Sequence, residues 1–185
     1  KWYIFYHAFL LQDAKKIKGG YRSTNVDEVT IGPDGIIQDI RGTRTGVQQL
    51  EWLNPYEKVQ ATTMSNNGGI SVIEEDKRSF KEPTIVSLAD IEDGDWIKVS
   101  GVDFGDETAV SFTIKYSSNG STGAIKLVSD SLDGNVVTYV EIKDTGGFNN
   151  YTELTVPVKE ITGVHDIYMI FAGTGYHVNE WSFSR

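Results

Sequence analysis

The sequence predicts an all-β protein: an antiparallel β-sandwich of jelly-roll type, preceded by a short three-stranded β-meander. Apolar and polar residues alternate through one short segment after another, which is the period of half-buried strands. Turn signals such as Glu92-Asp93-Gly94-Asp95, Phe104-Gly105-Asp106 and Asn119-Gly120 separate these segments. No segment of the second domain sustains a helical period, and 19 glycines among many Val, Ile, Thr and Tyr favour strands and turns.

In order, residues 1–9 open with Trp2, Ile4 and Tyr6 on one face and Tyr3, Phe5 and His7 on the other. Both faces are apolar or aromatic, so this strand expects cover on both sides. A basic loop over 15–20 follows, then strands over 21–30 and 36–40 around the turn Gly32-Pro33-Asp34-Gly35. Three strands cannot bury a doubly apolar member, so the meander must pack on further material. Residues 42–55 lack a period and read as a linker in which Trp52 and Leu53 dock against a domain. The boundary falls near Leu53, giving domains 1–52 and 53–185.

The second domain predicts strands over 57–63, 69–74, 84–88, 95–102, 108–116, 124–128, 136–142, 151–158, 165–172 and 177–184. About 130 residues suffice for a sandwich core without disulfides. Within 144–173, strands 151–158 and 165–172 are joined through Lys159 to Val164. Ahead of the first, Gly146 and Gly147 present Phe148 beside Asn149 and Asn150. Two glycines permit a loop that side chains would block. A phenyl ring raised among amides suits a pyranose, whose C–H face stacks on aromatics while its hydroxyls seek amides. The alternative is that Phe148 folds back and plugs the end of the core.

The net charge of −9 disfavours nucleic acid and anionic membrane surfaces, and it suits a neutral ligand. The absence of cysteine removes disulfides, zinc–thiolate sites and thiol nucleophiles together. No run is long and apolar enough to cross a bilayer as a helix. Beginning at Lys1, without an initiator Met or signal peptide, the chain reads as a mature form or a piece of a longer one. Trp96 and Trp181 read as core residues, Asp130 to Gly134 as a tight turn, and His165 as lacking a catalytic or metal partner. No G-x-S-x-G nucleophile elbow occurs.

The run Trp2-Tyr3-Ile4-Phe5-Tyr6-His7, followed by a strand pair around Gly32-Pro33-Asp34-Gly35-Ile36, resembles the last blade of a glycoside hydrolase family 43 propeller. That resemblance implies a five-bladed catalytic domain whose carboxylates lie on earlier blades, so no catalytic residue carries over to this chain. His7 falls where the family often places a histidine facing its central channel; a hydrogen-bonded histidine in an aromatic core is the other reading. The succession Ile91-Glu92-Asp93-Gly94-Asp95-Trp96-Ile97, Val102-Asp103-Phe104-Gly105, Thr145-Gly146-Gly147-Phe148, Gly163-Val164-His165-Asp166 and Trp181-Ser182-Phe183 resembles carbohydrate-binding module family 6. Asn54-Pro55-Tyr56 matches the opening of the variant that trails family 43 enzymes.

The second resemblance implies sugar binding in a loop cleft or on a concave sheet face. In the cleft, Phe148 takes the place of the usual Trp, Asp90 that of a second stacking Tyr, and His177 that of an asparagine, with Tyr176, Asn179 and Asn149 nearby. The family's structural calcium site falls on Gln60, Thr62 and Asn179, each a neutral donor where a carboxylate is usual, which implies an abandoned site unless Glu180 rebuilds it. The implied function is a xylan-, arabinoxylan- or arabinan-binding module on a secreted bacterial arabinofuranosidase or xylosidase, with a polysaccharide and the rest of the propeller as partners. Two alternatives stand beside it: a piece of an inverting glycosidase completed by another segment or chain, and a sandwich that only buttresses the propeller.

Overall fold

A computed structural model describes residues 1–16, 18–20, 22–43, 45–74 and 86–185. The chain divides into two compact units, Lys1–Leu50 and Glu51–Arg185; the sequence placed the boundary near Leu53.

In the first unit, β1 (Trp2–Ala8) pairs antiparallel with β2 (Ser23–Val29), from Trp2 opposite Val29 to Ala8 opposite Ser23. Between them lies a short helix, α1 (Leu10–Lys15), ended by Lys16 in the left-handed region at φ 53. The sequence predicted a loop starting at Lys15 and no helix. The third meander strand reduces to one bridge, Ile31 to Ile37, beside the turn closed by Gly35 N–H donating to the Gly32 carbonyl at 2.9 Å. Asp27 is buried and ties the unit together, accepting from the Tyr6 hydroxyl at 2.6 Å and from the backbone N–H of Thr43. Trp2 and Phe5, on opposite faces of β1, remain 66% and 73% exposed, so the cover expected on both faces is not supplied to them by the described residues.

The second unit is a two-layer antiparallel sandwich. One sheet has the order β10 (Asn135–Ile142), β9 (Gly123–Ser129), β12 (Val164–Gly173), β7 (Trp96–Asp103), β4 (Asn66–Gly68). The other runs β11 (Gly147–Pro157), β8 (Ser111–Ser118), β13 (Tyr176–Ser184), β6 (Val86–Ala89), β5 (Ser71–Glu74), and β3 (Val59–Gln60) also pairs with β13. Alternate residues turn inward: Ile97 and Val99 on β7, Phe112 and Ile114 on β8, Ile167, Met169 and Phe171 on β12, Trp181 and Phe183 on β13. An aromatic cluster fills one end, with Phe104 edge-on to Phe183 at 4.9 Å and Phe112 tilted against the same ring at 4.9 Å.

Three elements depart from the sequence reading. The strand expected over 57–63 shrinks to Val59–Gln60, because Thr63 N–H turns back to the Gln60 carbonyl at 2.9 Å. The short β4 was not anticipated; glycine and asparagine mask its strand character. The strand expected from 151 begins at Gly147, so Phe148 stands on a bulged strand rather than a free loop. The expected start of β6 at Thr84 lies outside the described residues. Leu53 joins the sandwich through backbone bonds with Gly101 and Asp103, whereas Trp52, read as docked, is 56% exposed.

Candidate functional site

At one end of the six-stranded sheet, β11 pairs with β8 at Gly147–Ser118 and again at Thr152–Tyr116. Phe148, Asn149, Asn150 and Tyr151 therefore bulge opposite the single residue Ser117. The approach is held by its own hydrogen bonds. Asp144 accepts from the backbone N–H of Gly146 at 3.0 Å and of Gly120 at 2.7 Å, and these two donors hold its carboxyl below the usual range. The Thr145 hydroxyl bonds both the N–H and the carbonyl of Ser118, and the Asn150 amide donates to the Gly146 carbonyl at 3.1 Å. Gly146 and Gly147 take φ of 79° and 141°, which a side chain would resist.

The bulge lifts Phe148 off the sheet, but not into open solvent. Its ring lies flat on the imidazole of His177, with centroids 4.1 Å apart and planes 10° apart, and it is 36% exposed. His177 stands on β13 opposite Ser117. Asp90 leaves β6 in the left-handed region at φ 51, exposed, and Leu88 opposite Val178 brings it to the His177 end of the sheet. Asn149 is exposed on the bulge. The fold thus gathers Phe148, Asn149, His177 and Asp90 at one end.

Tyr176 does not join them, which corrects the sequence reading. It is buried to 1% and its hydroxyl donates to the Ala172 carbonyl at 3.2 Å. Adjacent strand residues face opposite ways, so His177 outward places Tyr176 inward, where burial pushes its phenol up.

A second aromatic site appears on the outer face of the five-stranded sheet, and here the reading of Trp96 as core is corrected. Ile97 takes the core position, while Trp96 is half-buried on the opposite face, tilted against Tyr168 with centroids 6.0 Å apart. Its indole packs so closely over Gly68 that a Cβ there would lie 2.5 Å from the ring nitrogen. Lys98 reaches Asp166 at 2.6 Å and sits 5.7 Å from the Tyr168 ring centre. Burial alone would push the Asp166 carboxyl up; Lys98 and the Gly101 N–H outweigh it and hold the group down. Trp181, by contrast, is core, as its alternation predicted.

The calcium positions do not fit the ion. Asn179 is buried with its amide nitrogen donating to the Val86 carbonyl at 3.1 Å and to Ser87 Oγ at 3.2 Å. Gln60 and Thr62 bring no charge, and Glu180 is neutralised by Lys58 at 2.8 Å and approached by Lys115 at 3.8 Å. Asp130 turns out to be a structural anchor: its carboxylate meets His165 Nδ1 at 2.9 Å, while the other ring nitrogen meets the Thr162 carbonyl at 2.9 Å. The sequence offered no sign of that pairing, because 35 residues separate the two partners. His7 is exposed on β1 opposite Thr24.

Residues 60–185 match the family described as carbohydrate binding module (family 6). The whole chain is 34% identical over 190 residues to an arabinoxylan arabinofuranohydrolase of Bacillus subtilis, and 32% identical over 189 residues to one of Paenibacillus polymyxa. It covers 37% and 29% of those proteins, so the chain spans about a third of the curated relatives it matches. The crystal structure of a glycoside hydrolase family 43 arabinoxylan arabinofuranohydrolase from Bacillus subtilis, in complex with cellotetraose, superposes with TM-score 0.88 at 34% identity over 100% of this chain and 38% of that one. A family 6 module from Clostridium cellulolyticum in complex with xylose gives TM-score 0.63 at 27% identity, over 72% of this chain and 100% of that one.

Proposed function

The chain belongs to carbohydrate-binding module family 6, and from that premise we propose that it binds a neutral plant cell-wall oligosaccharide of xylan or arabinoxylan type at Phe148. The carrying observation is the bulge at Phe148–Tyr151, which raises one aromatic ring beside Asn149 and His177 at the end of a sheet. The ring supplies a stacking face, and Asn149 and Asp90 supply hydrogen-bonding groups around it. Similarity to two proteins named for arabinoxylan supports that ligand class.

The first unit, with Trp2 and Phe5 exposed on opposite faces of β1, belongs in this reading to a family 43 propeller whose catalytic carboxylates lie outside this chain. The module would hold that enzyme on its polymer outside the cell and raise the local substrate concentration. A second reading is favoured by the Trp96–Tyr168 pair, which offers an aromatic platform flanked by Lys98 and Asp166 on the five-stranded sheet.

Calorimetric titration with xylo- and arabino-oligosaccharides tests both, comparing wild type with Phe148→Ala and Trp96→Ala. Losing one stacked ring costs on the order of 1 kcal/mol, a several-fold to tenfold loss in affinity. That loss is expected in Phe148→Ala. Finding it in Trp96→Ala alone would move the site to the five-stranded sheet, and no binding by wild type would leave the sandwich as a buttress.

A further inference from the structure

His177 does more than border Phe148; it stacks on one face of the ring, with centroids 4.1 Å apart. The two residues stand on β13 and β11, strands separated by β8, and Phe148 reaches across β8 from the unpaired bulge. The rings meet beside Ser117 of β8, which lies opposite the bulge and pairs with His177. Ser117 faces out of the sheet, as its partner His177 does, while the next pair, Tyr116 and Val178, faces the core. Yet Ser117 is 0% exposed, and its hydroxyl has no hydrogen-bond partner among the described residues. A hydroxyl on the outer side of a sheet would ordinarily meet water, and a buried one a partner. Here it has neither.

We infer that the Phe148–His177 stack is the closed form of a sugar slot, with His177 as the built-in occupant of the position on Phe148 that a pyranose takes. This rests on the reading of Phe148 as the stacking ring. An imidazole is a disc with a stackable face and a hydrogen-bonding rim, the same combination that a pyranose presents. Were His177 to turn off Phe148, the freed face would admit one sugar ring, which needs roughly 4 Å to the phenyl ring. The Ser117 hydroxyl would then form the polar floor, paired with a sugar hydroxyl. His177 therefore sets affinity by competing with the ligand.

The test is calorimetry with xylotetraose on wild type, His177→Ala, Phe148→Ala, the double variant, and His177→Ala with Ser117→Ala. Removing the competitor is expected to tighten binding roughly two- to tenfold, the worth of one aromatic stack. The gain vanishes in the double variant and shrinks without Ser117. Weaker or unchanged binding in His177→Ala overturns the proposal. If Phe148→Ala binds as wild type does, the underlying reading of Phe148 has failed, and the competitor role falls with it. A second readout is independent of substitution. With only three histidines in the chain, the His177 ring protons can be followed by NMR. They should lose the Phe148 ring-current shift at saturating sugar, and a resonance that stays put at saturation would equally overturn the proposal.

Discussion

Trp181 allows two opposing terms to be weighed in one side chain. It is 1% exposed on β13, the strand that also carries His177, packed against Phe112 at 6.2 Å and edge-on to Phe183 at 5.9 Å. Its indole N–H is buried without a hydrogen-bond partner among the described residues. Trp181→Ala should cost about 3–5 kcal/mol, the usual loss for a large core aromatic. Trp181→Phe keeps most of the packing. Its smaller ring leaves a cavity of ~40 Å³, costing about 1 kcal/mol at ~24 cal/mol per Å³. Lost apolar burial of ~40 Å² adds about 1 kcal/mol. Against these stands the removal of an unpaired buried donor, worth about 1–3 kcal/mol. The terms nearly cancel, so Trp181→Phe should lie within about 1 kcal/mol of wild type. Urea unfolding followed by circular dichroism measures both. A Trp181→Phe cost approaching that of Trp181→Ala would refute the reasoning, because it would mean that the N–H is stabilising the fold through a partner.

Three further outcomes follow from the same geometry. Asp166 and Asp144 have carboxyl pKa values lowered in the folded state, so their stabilisation is complete above the unfolded value of about 3.9 and is lost as pH falls through their folded values. The urea midpoint should therefore drop below about pH 4, less steeply in Asp166→Asn; equal slopes would exclude Asp166 as a contributor. Calcium or EDTA should shift the melting temperature by no more than about 1 °C, since Gln60, Thr62 and Asn179 supply neutral donors; a rise of several degrees by differential scanning fluorimetry would show that such donors suffice. Gly123→Ala should destabilise by about 1–3 kcal/mol in the same urea assay, because its Cβ would lie 2.5 Å from the Ala172 carbonyl oxygen, a strand backbone that cannot step aside; a neutral result would show that β9 and β12 can part there.

Most of the sandwich was legible from local pattern. The strands over 95–102, 136–142, 165–172 and 177–184 lie close to the observed β7, β10, β12 and β13, because alternation is a property of neighbours in the chain and needs no tertiary information. The short β4 and the bulged start of β11 escaped it, since asparagine and glycine carry little strand signal of their own. The motif succession also placed the chain in family 6, and its substitutions at Gln60, Thr62 and Asn179 already marked the calcium positions as poor in charge.

What alternation could not decide was which face of each strand the sandwich would enclose. Trp96 and Ile97 are both apolar, and only the packing of the two sheets sends Ile97 inward and leaves the larger indole outside on Gly68. A shift of one residue exchanges the faces entirely, which is how Tyr176 became core and His177 surface. The stack of Phe148 on His177 lay further still from the sequence. It joins residues on two strands that never pair, brought within reach because β8 lies between them, and that adjacency exists only once the sheet has formed.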